Sequence, residues 1–114
     1  SMEVEAKLMI EMATTMIYPA AINYLTSMAS TGFTLDHSPA GKVANTATAM
    51  MASVEQLSEI LETHFDTVEE HMNFLAADVR ALMTDIRSSA DTLETLVSDE
   101  LWPLPKYREM LFIK

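Results

Sequence analysis

Apolar residues return every three or four positions along three long stretches of this chain, which is the period of one face of an α-helix and not the alternation of a strand. Only two glycines and four prolines interrupt 114 residues, so breakers of helix are scarce. The pattern predicts an all-α fold: an antiparallel bundle of three, or at most four, helices with a kinked first helix and a short C-terminal helical turn. A chain of this length suits one core. With 49% hydrophobic and 21% charged residues it can bury that core without the composition of a disordered or membrane-spanning segment.

The first stripe runs from Glu3 to about Ser30 through Val4, Leu8, Met12, Met16, Ile22, Leu25 and Met28. Pro19 lies inside it, lacks a backbone donor and crowds the carbonyl of Thr15, which predicts a kink in one continuous helix. Thr31-Gly32 offers a C-terminal stop, and the residues from there through Gly41 read as a loop. Ser38-Pro39 can cap a second helix, whose stripe is Val43, Ala47, Met50, Val54, Leu57 and Leu61. Near Asp66 the pattern restarts, with capping-box spacing to Glu69 and a stripe at Met72, Leu75, Val79, Leu82, Ile86, Leu93 and Val97. This third helix is expected to reach about Leu101, roughly 50 Å in all. Trp102-Pro103-Leu104-Pro105 must then break it, because each proline also disfavours helical geometry in the residue before it. Lys106 to Phe112 are left for one or two final helical turns.

Seventeen acidic residues against seven basic ones give a net charge of -10, which repels a phosphate backbone. Neither nucleic acid nor a membrane is an expected partner. The absence of cysteine excludes disulfides and thiolate metal sites and fits a reducing compartment, so a cytoplasmic location is expected. Ser1-Met2 reads as an expression scar with no secretion signal after it, leaving residues 3–114 as a single helical domain of a larger protein.

The residues that carry chemistry elsewhere do not assemble here. His37, His64 and His71 do not stand in the Glu-x-x-His arrangement that di-iron bundles place on facing helices, and His64 and His71 are too far apart on one helix to share an ion. Met9, Met12 and Met16, with Met50 and Met51, are expected to fill gaps in the core. Glu55, Glu59, Glu62, Asp66, Glu69 and Glu70 fall between the stripes and read as a solvated face. No glycine-rich phosphate loop or nucleophile beside a base is visible. The expected catalytic, cofactor-binding and metal-binding residues in this chain are therefore none.

Two stretches carry a family resemblance. Leu101 to Phe112, LWPLPKYREMLF, resembles the terminal signature of type III glutamine synthetases, a Trp-Pro-x-Pro-x-Tyr segment followed by a Leu-Phe pair. The preceding Ala90 to Val97 resembles the family's last helix, and Ile17-Tyr18-Pro19-Ala20-Ala21-Ile22 is similar to its Ile-x-Pro-Ala-Ala-Ile core. The chain departs from the pattern at Asp78 to Met83, which has no proline, and at Arg108-Glu109, where the family often has Gly-Asp. The resemblance implies a parent enzyme that ligates ammonia to glutamate with ATP and Mg or Mn, in a large ring-shaped homo-oligomer. It also implies that the catalytic ligands lie upstream of this segment. What this chain inherits is a non-catalytic helical appendage that packs on its own catalytic domain or on neighbouring subunits.

Trp102, Pro103, Pro105, Tyr107, Leu111 and Phe112 are the expected packing residues, since aromatic anchors beside prolines bury large area at small entropic cost. They would either meet another surface or close the domain's own core. The alternative function is a free-standing acidic helical module that binds an amphipathic or basic peptide. If the Trp102 ring is buried in the domain's own core, Trp102→Ala should lower stability by about 3–5 kcal/mol in chemical denaturation, the usual cost of truncating such a ring. A variant that unfolds like the wild type would exclude that core role.

Overall fold

The computed structural model describes residues 1–30, 39–63 and 73–97. Helix α1 spans Met2–Met12 and is followed without a break by a π-helical turn, Ala13–Ile17, and by α2, Tyr18–Ala29. Helix α3 spans Pro39–Glu62 and α4 spans Ala76–Leu96. No strand occurs among the described residues. The all-α expectation holds, while the C-terminal helical turn and the residues expected to pack there lie outside the described residues.

The irregularity expected at Pro19 takes the form of the π-turn. Proline has no N–H to give to Thr15 four residues back, so an unbroken α-helix would lose that bond. The chain widens by one residue just before the proline: the Tyr18 N–H donates to the Ala13 carbonyl, five positions back, and Pro19 sits in the first turn of α2. Thr15 contributes a further local bond, its hydroxyl donating to the Glu11 carbonyl at 2.7 Å. At the start of α1 the Val4 N–H donates to the Ser1 Oγ at 3.4 Å.

Helix α3 is the hub, packing most heavily on α4 and next on α2. Its buried residues Ala40, Val43, Ala47, Met50, Val54 and Leu57 follow each other at alternating spacings of three and four. On α4 the buried Val79, Met83, Ile86, Leu93 and Val97 keep the same rhythm once the half-buried Ala90 is counted. Seams of this spacing are the kind that helical bundles pack against each other. The end of α3 and the start of α4 line one groove, so these two helices run antiparallel.

Several expectations need correction. Helix one does not bury Val4, Leu8, Met12 and Ile22, which are exposed; it buries Ala6, Ala13, Ile17, Ala20 and Ala21. The methyl side chains let the backbone approach its neighbours closely, and a Leu on that face would hold them apart. Gly41 belongs to no loop, because α3 begins at Pro39 and carries Gly41 as a buried residue of its first turn. The third helix does not extend from near Asp66 to Leu101. Its expected start near Asp66 lies outside the described residues; among these, Asn73 and Phe74 are helical, Leu75 leaves helical geometry at φ -101° and ψ 17° as its side chain packs on the core, and α4 begins at Ala76. It ends at Leu96, since Val97 turns to φ -80° and ψ 140° while staying buried, its N–H bonded to the Leu93 carbonyl at 2.8 Å. Its 21 residues therefore measure about 31 Å.

The methionines divide. Met50 and Met83 are buried, and Met9 and Met51 pack on the core's edge, but Met12 is exposed. The two kinds of buried face predict opposite substitutions. Leu57→Ala should cost about 2–5 kcal/mol by opening a cavity. Ala13→Leu should cost about 1–3 kcal/mol by overpacking. Urea titrations followed by circular dichroism measure both, and an Ala13→Leu protein as stable as the wild type would contradict the close approach of helix one.

Candidate functional site

The residues singled out from the sequence as packing anchors, Trp102 to Phe112, lie outside the described residues, as do His37, His64, His71, Asp66, Glu69 and Glu70. Among the described residues, Glu55, Glu59 and Glu62 occupy the exposed side of α3, in keeping with a solvated face. The first feature with the shape of a site is an open groove of about 490 Å³ where the last turns of α3 face the first turns of α4. Gln56, Glu59, Ile60 and Thr63 line it from α3, and Asp78, Ala81 and Leu82 from α4.

The groove's chemistry is thin. It offers two carboxylates, one amide and one hydroxyl, and the Thr63 hydroxyl already donates to the Glu59 carbonyl at 2.7 Å. A general base working on a serine or threonine would need an imidazole or amine beside it, and the lining contains neither. Among the described residues no three His, Asp or Glu side chains gather closely enough to hold a metal ion. Other hydroxyls are similarly committed: Thr26, Thr48, Thr92 and Thr95 each donate to the carbonyl four residues back in their own helix.

The second feature is a face. Val4 and Leu8 are 54% and 52% exposed, and Met12 follows at the same four-residue interval. At 3.6 residues per turn, Leu8 stands about 200° around the helix from the buried Ala6. Helix α1 thus has two apolar sides, a narrow one of alanine turned inward and a broad one of larger residues turned outward. Glu5 and Glu11 are exposed on either flank of the outer stripe, and Lys7 is drawn aside by an ion pair with Glu3 at 3.2 Å. The sequence displays this face as a stripe, but periodicity cannot tell which of two apolar sides faces inward.

No family model and no solved structure matches the chain. Curated relatives do. Over 75 residues, 64% of this chain, it is 33% identical to a glutamine synthetase of Bacteroides fragilis (strain YCH46). Over its whole length it aligns at 24% identity with the type-3 glutamine synthetase of Dictyostelium discoideum. The resemblance to type III glutamine synthetases holds. The chain spans 10% and 18% of those two relatives' lengths, so it corresponds to a small part of each. A glutamine synthetase of this kind would keep most of its residues outside the matched part.

Among the described residues no helix is long and apolar enough to cross a membrane. Because the described donor set suits neither a nucleotide phosphate nor a divalent ion, the melting temperature of the 114-residue chain should not move on addition of ATP, Mg or Mn. A ligand that binds only the folded state raises it by mass action, so a rise in a thermal-shift titration would reveal a site here.

Proposed function

We propose that this chain is the C-terminal helical domain of a type III glutamine synthetase, and that it is a packing part with no share in the chemistry. The observation that carries the reading is the alignment of the whole chain with less than a fifth of a type-3 glutamine synthetase. The terminal Trp-Pro-x-Pro-x-Tyr signature agrees with a place at the end of that enzyme. The parent ligates ammonia to glutamate with ATP and Mg or Mn, and the residues that hold those groups belong to its catalytic domain.

The partners in this reading are the catalytic domain of the same polypeptide and neighbouring subunits of a homo-oligomer, in the cytoplasm. Helical hairpins built on regular seams are stiff, and a stiff element transmits position between the surfaces it touches. Trp102, Pro103, Pro105, Tyr107, Leu111 and Phe112 are its packing residues. The outward stripe of α1 favours a second reading, the free-standing module that binds an amphipathic or basic peptide, because exposed apolar residues flanked by carboxylates suit such a ligand.

The experiment compares the full-length parent with a form lacking residues 3–114, reading glutamine synthesis and light-scattering mass. Glutamine synthesis by the intact protein and loss of assembly on truncation are expected. An intact parent that makes no glutamine would overturn the assignment and promote the binding-module reading; truncation that leaves the number of subunits per particle unchanged would overturn the packing role.

A further inference from the structure

We infer that the outward stripe of α1, Val4, Leu8 and Met12, is the seat of the chain's own C-terminal segment, residues 101–114, with the acidic stretch 98–100 serving as its link to the core. This deepens the packing role proposed above by naming the surface that the Trp102 segment meets, and it stands on observations separate from the family resemblance.

Three of them point to this occupant. The first is charge. Residues 101–114 hold Lys106, Arg108 and Lys114 against Glu109, a net of +2, whereas residues 1–100 hold four cations against sixteen anions, a net of -12; together these make the -10 of the whole chain. A second copy of the acidic body would be repelled from the stripe, while the basic tail is attracted to it. Glu5 and Glu11 flank the stripe and are exposed, which places anions where Lys106 and Arg108 can meet them. The second is apolar matching. The tail gathers Trp102, Tyr107, Leu111 and Phe112 within eleven residues, and the stripe is the run of exposed large apolar side chains on α1. The third is reach. The chain leaves the described core at the buried Val97, and seventeen further residues span up to about 56–61 Å when extended. Helix one, with segments of 11, 5 and 12 residues, is only about 42 Å long, so its whole outer face is within range.

Trp102 is the sole tryptophan, so its fluorescence reports this contact without labelling. In the 114-residue chain its emission should be blue-shifted and poorly quenched by iodide. Leu8→Asp should shift the emission to the red and raise the quenching constant severalfold while far-UV circular dichroism stays unchanged, because Leu8 is not part of the helical core. Glu5→Lys with Glu11→Lys, which leaves the apolar stripe intact, should raise quenching by a smaller factor. A solvent-exposed Trp102 in the wild type, or a protected one that ignores Leu8→Asp, would overturn the inference. Protection that grows with protein concentration would overturn it too, in favour of a second copy. None of these outcomes depends on glutamine synthesis, so this inference can fail while the family reading survives.

Discussion

The packing of α3 between its neighbours is the constraint on which the rest of this fold depends. Its buried seam, from Ala40 to Leu57, supplies Met50, Leu57 and Val43, three of the largest fully buried side chains. Hydrophobic burial is proportional to area removed from water, so a helix that contributes such residues to both adjoining helices holds the domain's main source of stability. Helix α4 answers with Val79, Ile86 and Leu93 in the same rhythm. Gly41 and Ala40 at the head of α3 keep its first turn slim, and Pro39 fixes its first helical angle.

Helix one joins this pair on different terms. Its inward face is nearly all alanine, which gives little area per residue but allows the backbones close together. The consequence is that its larger apolar residues are displaced to the outside. Pro19 and the π-turn before it lie between the two halves of this helix and change the register of its faces midway. Among the described residues, helix one is thus left with apolar area on its outer side that it is still able to bury against another segment.

The helices that make the scaffold also account for how few polar groups converge among the described residues. Among the described residues the Thr26, Thr48 and Thr92 hydroxyls turn to the carbonyl four residues back, and Glu55, Glu59 and Glu62 lie on an exposed face. Catalytic constellations need side chains from several elements converging on one point. The groove between Glu59 and Asp78 comes nearest to that among the described residues, and it lacks a cation, an imidazole and a third ligand.

Much of the fold is legible in the amino-acid sequence. The α3 stripe and most of the α4 stripe can be read from it because large apolar residues at three-four spacing leave one face that can be buried. Met83 falls outside the stripe expected from periodicity, although it lies in the same seam between Val79 and Ile86. The proline in helix one announces an irregularity, but whether it becomes a bend or a widened turn depends on which carbonyl is free to accept the Tyr18 N–H. Helix one's burial runs against the stripe because hydropathy ranks leucine above alanine, while close packing between helices ranks size first. The ends of α4 escape the pattern for a similar reason: Leu75 and Val97 leave helical geometry so that their side chains can enter the core, and local propensity says nothing of that. By itself the sequence determined that the chain would be helical and acidic, since period and composition are local properties. Only the tertiary structure decided which side of helix one faces inward and where α4 starts and stops, because those choices depend on the distance between helices, which no single helix contains.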